Sequence, residues 1–223
     1  MSTLRVKRIV VGPTATNTYL AWHGSKAVII DPAWPQGIEP IVRLVRELGL
    51  EVVMVVATHG HFDHVLGYKR LAGLLGYSPP FAAHPRDWRL LVDARRHAVK
   101  LIGVDPGVDA PEIDEDLEEG YTISLDGAEL TVLETPGHTP GSITLVSEGI
   151  AFTGDTLLRG TIGIMGHPGE NPSILVDSVL RLLELPDDTV VYPGHGAKTT
   201  IGRERGGNLH ISYILSLIAE QEA

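Results

Sequence analysis

Short apolar runs separated by glycine, proline and charged residues fill the first 57 positions of the chain. Runs of this length, rich in β-branched residues, predict strands at 4–11, 18–22 and 26–30. From Ile38 to Leu48 the apolar positions recur with the helical period instead, and Gly49 ends the predicted helix. The next run, 52–57, is apolar throughout and charged only at its leading edge, which is typical of a strand buried on both faces.

Helices and strands alternate through the rest of the chain. The apolar spacing predicts helices at 65–75, 84–102, 173–185 and 202–223. It predicts a short edge strand at 79–83 and further strands at 121–125, 129–134, 142–146, 150–153 and 189–192. Asp126-Gly127 is a strong signal for a two-residue hairpin turn. Segment 105–120 predicts a loop with a solvated acidic run at 114–119.

The two halves of the chain share one outline: several antiparallel strands, then a helix, then a strand that ends in a polar loop. This outline predicts an α/β protein in which two sheets pack face to face with helices outside, a four-layer αββα sandwich. No clear repeat and no linker rich in glycine or serine divides the sequence. We therefore expect a single domain over residues 1–223.

Composition narrows the classes of function. The 223 residues are 43% hydrophobic and 21% charged, as in a folded globular protein, with a formal net charge of -10. This charge and the lack of a basic run argue against affinity for nucleic acid or anionic membrane. The N-terminus lacks an apolar signal core, and no apolar run approaches the length that spans a bilayer. We expect a cytoplasmic protein, a monomer or a dimer.

The chemistry concentrates in the histidine loop, residues 58–66, which follows the buried strand at 52–57. It contains His59, His61, Asp63 and His64 within six positions. Imidazole nitrogens and carboxylate oxygens are the ligands that zinc and non-haem iron prefer. The chain has no cysteine, so every metal ligand must be His, Asp, Glu or water. In an extended loop His59 and His61 share a face, and Asp63 and His64 then begin a helix that points them elsewhere.

Three later loops offer the ligands that the histidine loop lacks. Each follows an apolar strand, and they carry His138 at 135–141, Asp155 at 152–156 and His195 at 191–196. Glycines in these loops let the backbone come close to a metal or a ligand. Asp31 also ends a buried strand, where it either braces nearby backbone or orients a ligand histidine.

The order His59-x-His61-x-Asp63-His64, His138, Asp155, His195 resembles the metallo-β-lactamase superfamily over nearly the whole chain. Residues 134–142 (ETPGHTPGS) and 152–157 (FTGDTL) are similar to its glyoxalase II, or hydroxyacylglutathione hydrolase, branch in the short single-domain form. The resemblance implies the metallo-β-lactamase fold and a site that binds two divalent metal ions. We expect zinc first, with iron or manganese as alternatives. The implied ligands are His59, His61 and His138 for one ion, Asp63, His64 and His195 for the second, and Asp155 as a bridge.

The resemblance also implies a metal-dependent hydrolase of small-molecule thioesters or esters. A metal-bound hydroxide would be the nucleophile, and Asp63 would act on protons as well as bind metal. Position 164 is isoleucine where relatives often have arginine, and one predicted helix follows His195. Glutathione specificity, the acyl group and the thiol therefore stay open. Five other side chains are weaker candidates near the site, and a role outside the site, mainly as surface charge, is the commoner one for each: Arg159, Lys198, Arg203, Arg205 and His210.

Several other functions fit parts of the pattern. An iron-dependent persulfide dioxygenase would use a 2-His-1-carboxylate set of His59, His138 and Asp155. A lactonase of the same superfamily is closely allied to the thioester hydrolase. The negative net charge argues against a nucleic-acid processing enzyme. The open glycine-rich loops argue against a metal-binding protein without catalytic activity. His84 and His97 are interpreted as surface or packing residues, and His167 as a further residue that could lie near the cleft.

Overall fold

The structure is a computed structural model that describes residues 4–163 and 170–214. Within these residues the strands form two six-stranded sheets and a small two-stranded ribbon. Sheet 1 contains, in spatial order, β1 (Arg5–Val11), β2 (Thr16–His23), β3 (Lys26–Ile30), β4 (Glu51–Val56), β5 (Phe81–Ala83) and β6 (Glu115–Asp116). Sheet 2 contains β7 (Thr122–Leu125), β8 (Ala128–Glu134), β9 (Ile143–Ser147), β10 (Ile150–Gly154), β13 (Val190–Pro193) and β14 (Thr199–Thr200). The ribbon pairs β11 (Leu157–Leu158) with β12 (Thr161–Ile162).

Helices cover the outer faces of both sheets. The helices of the first half are α1 (Glu39–Glu47), α2 (Phe62–Val65), α3 (Tyr68–Leu75) and α4 (Trp88–Ile102), and a 3-10 turn at Pro85–Asp87 precedes α4. The second half contributes α5 (Pro172–Leu182) and α6 (Ile201–Gly207). Among the described residues, none of these helices has the length and apolar character needed to cross a bilayer.

Three separate apolar layers hold the four structural layers together. The first lies between sheet 1 and its helices and includes Leu20 and Ile29. The second lies between the two sheets, where Val28 and Ile30 of β3 meet Phe152 of β10. The third packs α5 and α6 against sheet 2. Neighbouring residues of β3 therefore enter different layers, which explains why this strand is apolar at nearly every position. The predicted αββα sandwich is confirmed.

Two predicted elements differ in sheet 1. The strand at 79–83 was expected at a sheet edge, but β5 pairs in parallel with β4 on one side and with β6 on the other. β6 lies within the segment predicted as a loop, because two exposed acidic residues can donate and accept backbone hydrogen bonds without any apolar pattern. The predicted Asp126-Gly127 hairpin turn is present, with both residues at positive φ.

Two predicted helices are divided. Helix 84–102 begins as the 3-10 turn, and the final helix is interrupted where α6 ends at Gly207 and Asn208 becomes extended. The part of that final helix from residue 215 onward lies outside the described residues, as do Ile164 and His167.

The predicted helix at 65–75 is also divided, into α2 and α3, at Gly67. Ala33 donates a backbone hydrogen bond to the His64 carbonyl, and its own carbonyl accepts one from Gly67. The backbone at this point therefore pairs with a neighbouring segment instead of continuing the helical ladder. A Cβ at Gly67 would lie 2.1 Å from the carbonyl oxygen of Pro32, so only glycine fits.

Gly67→Ala is expected to lower the free energy of unfolding by about 3 kcal/mol, because overpacking at a rigid backbone contact has costs of this order. The matched control is Gly73→Ala in helix α3, which begins directly after Gly67, because a Cβ at position 73 would meet nothing within 4 Å. That control should gain about 0.5–1 kcal/mol from the better helix propensity of alanine. Urea denaturation of the two variants measures both values. Equal effects at the two positions would contradict the close-contact explanation.

Candidate metal centre

The residues predicted as ligands follow the ends of four strands. β4 leads into the histidine loop and α2, whereas β8, β10 and β13 each lead to one further candidate. The carboxyl ends of these strands lie at the same end of the two sheets, where the loops meet. The structure brings all seven predicted residues together there: His59, His61, Asp63, His64, His138, Asp155 and His195.

The three-histidine group consists of His59, His61 and His138. His61 Nδ1 lies 3.1 Å from His59 Nε2 and 3.0 Å from His138 Nε2. Ring nitrogens that converge so closely cannot all direct protons at one another, whereas their lone pairs can share one cation. His138 Nδ1 lies 2.8 Å from the carbonyl oxygen of Gly163. Since a carbonyl only accepts, this nitrogen carries the proton and Nε2 presents its lone pair to the group.

The aspartate group consists of Asp63, His64 and His195. His195 Nε2 lies 3.3 Å from both Asp63 Oδ2 and His64 Nε2. Thr16 Oγ1 donates to Asp63 Oδ2 over 3.0 Å and so fixes the carboxylate. The three ligand atoms lie within 4.8 Å of one another, a spacing that a single metal ion can span.

Asp155 lies between the two groups. Its Oδ2 atom is 3.6 Å from His138 Nε2, 3.8 Å from His64 Nε2 and 3.5 Å from His195 Nε2. One carboxylate oxygen is therefore within reach of nitrogens from both groups. The group of His59, His64 and Asp155 also satisfies the spacing for a metal ion, so the two groups adjoin.

The surroundings of Asp155 fit a bound metal. Its other oxygen, Oδ1, is buried and has no hydrogen-bond partner among the described residues, a costly state for a carboxylate that a cation would relieve. A Cβ at Gly194 would lie 2.3 Å from this oxygen and 2.7 Å from His64 Cε1. The absence of a side chain at Gly194 therefore leaves room for the side chains of Asp155 and His64. A set of imidazole nitrogens and carboxylate oxygens suits zinc, iron and manganese.

Asp31 has both of the roles considered for it. Its carboxylate accepts hydrogen bonds from the backbone N–H and the hydroxyl of Thr58, at 2.8 and 2.9 Å. It also lies 3.0 Å from His64 Nδ1, in an electrostatic contact without the alignment of a hydrogen bond. Asp31 thus braces the start of the histidine loop and orients His64. The residue has φ of 53°, an uncommon conformation that its two-sided contacts hold in place.

Burial and neighbouring charges shift the pKa values in the site. Burial holds the pKa of His59 well below its usual value, and the adjacent histidines lower it further. Burial also lowers the pKa of His64, but the carboxylates of Asp31, Asp63 and Asp155 outweigh this and raise it to about 10. A cation that binds His64 must therefore displace a proton.

The carboxyl group of Asp63 is shifted in the opposite direction. Burial raises its pKa, but His64 and a hydrogen bond from His195 outweigh burial and hold the pKa below its usual value. The group is therefore ionised, which suits a metal ligand.

Two buried residues near the ligands were missed in the sequence. Asp87, in the 3-10 turn before α4, contacts two of the ligand loops, and no motif marks it. Asn17 on β2 donates from Nδ2 to the carbonyls of Pro193 and Gly196, at 2.8 and 2.9 Å, and so holds both sides of His195. It has no signal in the sequence, because Asn17 lies in the polar run Thr16-Asn17-Thr18 at the start of β2.

The weaker candidates lie where packing or solvent explains them. His84 is buried, with Nε2 3.0 Å from Glu134 Oε1, and His97 is half-buried on α4. Arg205 pairs with Asp187. The remaining described candidates are exposed: Arg159, Lys198, Arg203 and His210.

Comparison with known proteins places the chain in a family. The sequence model of the Metallo-beta-lactamase superfamily matches residues 11–195 of this chain. An uncharacterised protein of Aquifex aeolicus is 40% identical, covering 91% of this chain and 95% of its own length. Hydroxyacylglutathione hydrolase GloC of Haemophilus influenzae is 33% identical, covering 92% of this chain and 97% of its own length.

Solved structures agree with this placement. BLEG-1 B3 metallo-beta-lactamase is 28% identical with a TM-score of 0.83, covering 93% of this chain and 100% of its own. TTHA1623 in a di-iron-bound form is 35% identical with a TM-score of 0.79, covering 92% of this chain and 99% of its own. ETHE1 from Myxococcus xanthus is 26% identical with a TM-score of 0.76, covering 93% of this chain and 84% of its own. The chain belongs to the metallo-β-lactamase superfamily of metal-dependent hydrolases.

Proposed function

We propose that the chain is a hydrolase of small-molecule thioesters that works with two divalent metal ions. The observation that carries this proposal is the position of Asp155, whose Oδ2 atom lies 3.5–3.8 Å from nitrogens of both the three-histidine group and the aspartate group. A single carboxylate shared by two adjoining ligand sets is what a two-metal site needs.

The proposed ligand sets follow the two groups. The three-histidine group would hold one ion and the aspartate group the other, with Asp155 between them. When bound, two divalent cations lower the pKa of a water molecule and polarise the carbonyl group of an ester or thioester. His195 is 29% exposed, whereas His59, His64 and His138 are at most 2% exposed. His61 is also partly exposed, so a substrate would approach from the side of His61 and His195.

Asp63 contributes its negative charge in this proposal. Its Oδ2 atom accepts from Thr16 and lies beside His195, so its orientation is fixed. The lowered pKa makes this carboxylate a dependable ligand and a weak proton acceptor. Transfer of a proton through Asp63, which the resemblance implies, stays a prediction.

Similarity to a named thioester hydrolase supports the choice of substrate. Hydroxyacylglutathione hydrolase GloC of Haemophilus influenzae is 33% identical, and this chain covers 97% of it. The alignment therefore spans nearly the full length of that enzyme. We accordingly propose a hydroxyacylglutathione, or a thioester of a similar thiol, as the substrate class.

The second candidate function is an iron-dependent persulfide dioxygenase. The similarity to ETHE1 from Myxococcus xanthus and to the di-iron-bound form of TTHA1623 is compatible with it. Its iron ligands would be His59, His138 and Asp155, of which the last two approach to 3.6 Å. The lactonase alternative has no observation of its own in its favour.

The test compares two reactions of one preparation. Protein freed of metal and reloaded separately with zinc and with iron is given S-D-lactoylglutathione, and loss of the thioester absorbance is followed. The same samples are given glutathione persulfide in an oxygen electrode. We expect thioester loss that depends on metal and no oxygen uptake. Oxygen uptake by the iron form together with an intact thioester would replace the proposal with the second candidate.

A further inference from the structure

A buried carboxylate outside the seven candidate ligands links two of the ligand loops. Asp87 is 1% exposed and lies at the end of the 3-10 turn before α4. Its Oδ2 atom accepts hydrogen bonds from the Gly60 N–H and the Thr139 hydroxyl, and its Oδ1 atom accepts one from the Gly141 N–H. All three bonds are 2.7 Å long, which is typical of strong bonds to an ionised carboxylate.

The three donors belong to the loops of the three-histidine group. Gly60 stands between His59 and His61, and Thr139 follows His138 directly. The first loop extends from sheet 1 and the second from sheet 2, so Asp87 joins the two halves of the sandwich at the point where these histidines converge. Its contacts fix the backbone on both sides of the group.

The glycines of these loops are shaped around Asp87. A Cβ at Gly60 would lie 2.9 Å from Asp87 Cβ, and a Cβ at Gly141 would lie 2.7 Å from Asp87 Cγ. We expected the glycines of the later loops, Gly141 among them, to let the backbone approach a metal or a ligand. Gly60 instead makes room for the Cβ atoms of Asp87 and Leu90, and Gly141 makes room for the Asp87 carboxylate, so both loops are shaped around this side chain.

Keeping a charge at this position is costly. Burial raises the pKa of Asp87, although the bonds from Thr139, Gly60 and Gly141 counteract part of the shift. A buried carboxylate is tolerated when its oxygens are fully hydrogen-bonded. Here the donors are mostly backbone N–H groups of the two ligand loops, so the favourable contacts are lost whenever those loops move apart.

We propose that Asp87 is the positioning residue of the three-histidine group, holding the loop of His59 and His61 and the loop of His138 at the separation that a bound metal ion requires. This inference rests on the proposed two-metal function. The aspartate group has a different support, because Asn17 holds the loop of His195 through Pro193 and Gly196. The loops of His138 and His195 therefore have separate supports, although the two groups share Asp155 and the histidine loop.

Asp87→Asn tests the inference with little change of size. Oδ1 faces the Gly141 N–H and Oδ2 faces the Gly60 N–H, so an amide in either orientation sets its NH2 group against a backbone donor. We expect the affinity for one of the two metal ions to fall about 10–100-fold, as for other groups that orient ligands. The affinity for the second ion should stay within about threefold. Competition with a chromophoric chelator for zinc measures both affinities without any substrate.

Asp126→Asn is the matched control. Asp126 also links two loops, since its Oδ2 atom accepts from the N–H and the hydroxyl of Ser25, and a Cβ at Gly24 would lie 2.5 Å from the same oxygen. It stands in the turn between β7 and β8, at the opposite end of the sheets from the ligand loops. Both zinc affinities of this variant should equal those of the unmodified protein.

A double-mutant cycle shows which of the two metal positions Asp87→Asn weakens. His61→Ala disables the three-histidine group, so adding Asp87→Asn to it should leave the affinity of the remaining ion unchanged. A second pair of variants covers the case in which Asp87→Asn does not fold. Thr139→Val removes one donor to the carboxylate and should weaken one ion about tenfold, whereas Thr139→Ser keeps the hydroxyl and should restore the affinity.

Each outcome decides the inference. Selective loss of one ion in Asp87→Asn or Thr139→Val, absent in the His61→Ala background, supports it. Equal loss of both ions, or no loss in either variant, overturns it and leaves the proposed function in place. An unmodified protein that binds two zinc ions but hydrolyses no thioester would overturn the substrate and keep the role of Asp87. An unmodified protein that binds no zinc would overturn both.

Discussion

Asp155→Asn is expected to lower kcat/KM for thioester hydrolysis by about 10³-fold or more, equivalent to about 4 kcal/mol of transition-state stabilisation. Asp155 Oδ2 lies within 3.8 Å of His64, His138 and His195, so one carboxylate oxygen reaches ring nitrogens of both groups. Asparagine has nearly the same shape but carries no charge, and one of its two polar atoms is a donor that cannot bind a cation. Both metal positions should weaken together.

Metal content by mass spectrometry and steady-state kinetics measure this result on one preparation. Asp105→Asn is the matched control, because Asp105 is exposed and pairs with Arg95 away from the ligand loops. It should keep two metal ions and full activity. If Asp155→Asn also retained two ions and hydrolysed the thioester normally, Asp155 would not be the shared ligand.

Removal of metal is expected to abolish activity and to destabilise the fold. A ligand that binds only the native state at 1,000 times its Kd contributes about 4 kcal/mol of stability, which for a domain of this size corresponds to about 10 °C in Tm. The interior of the candidate centre gives a physical reason. Without a cation, the lone pairs of His59, His61 and His138 converge with no positive charge between them, which is unfavourable.

Calorimetry before and after treatment with a chelator measures the shift, and readdition of zinc, iron or manganese should restore both Tm and activity. Asp155→Asn serves as the control, since chelator should change its Tm little. An unmodified protein that kept its Tm and its activity after verified removal of metal would show that the cluster is held by hydrogen bonds alone.

The clustering of the candidate ligands was predictable from the sequence because each loop that carries them follows an apolar run. Buried strands such as β4 and β10 have a recognisable composition, and a histidine or aspartate placed immediately after one must lie at the end of a sheet. His138, Asp155 and His195 were identified in this way, and the structure brings them to the histidine loop. The four-layer fold followed from the same alternation of strands and helices.

The supports of the ligands were not predictable, because their role depends on contacts between distant parts of the chain. Asp87 reaches Gly141 across 54 positions, and Asn17 reaches Pro193 across 176. Neither belongs to a local pattern. The division at Gly67 was missed for the same reason, since the obstacle is the carbonyl of Pro32, a neighbour in space.

Stepwise metal titration of the metal-free protein tests the central claim most directly. Zinc is added in fractions of an equivalent, and S-D-lactoylglutathione hydrolysis and bound metal are measured at each step. The account predicts hydrolysis that reaches its plateau at two equivalents of metal per chain and stays about 10³-fold lower or more in Asp155→Asn throughout. A plateau at one equivalent, or two bound equivalents with an intact thioester, would contradict the account of a two-metal thioester hydrolase.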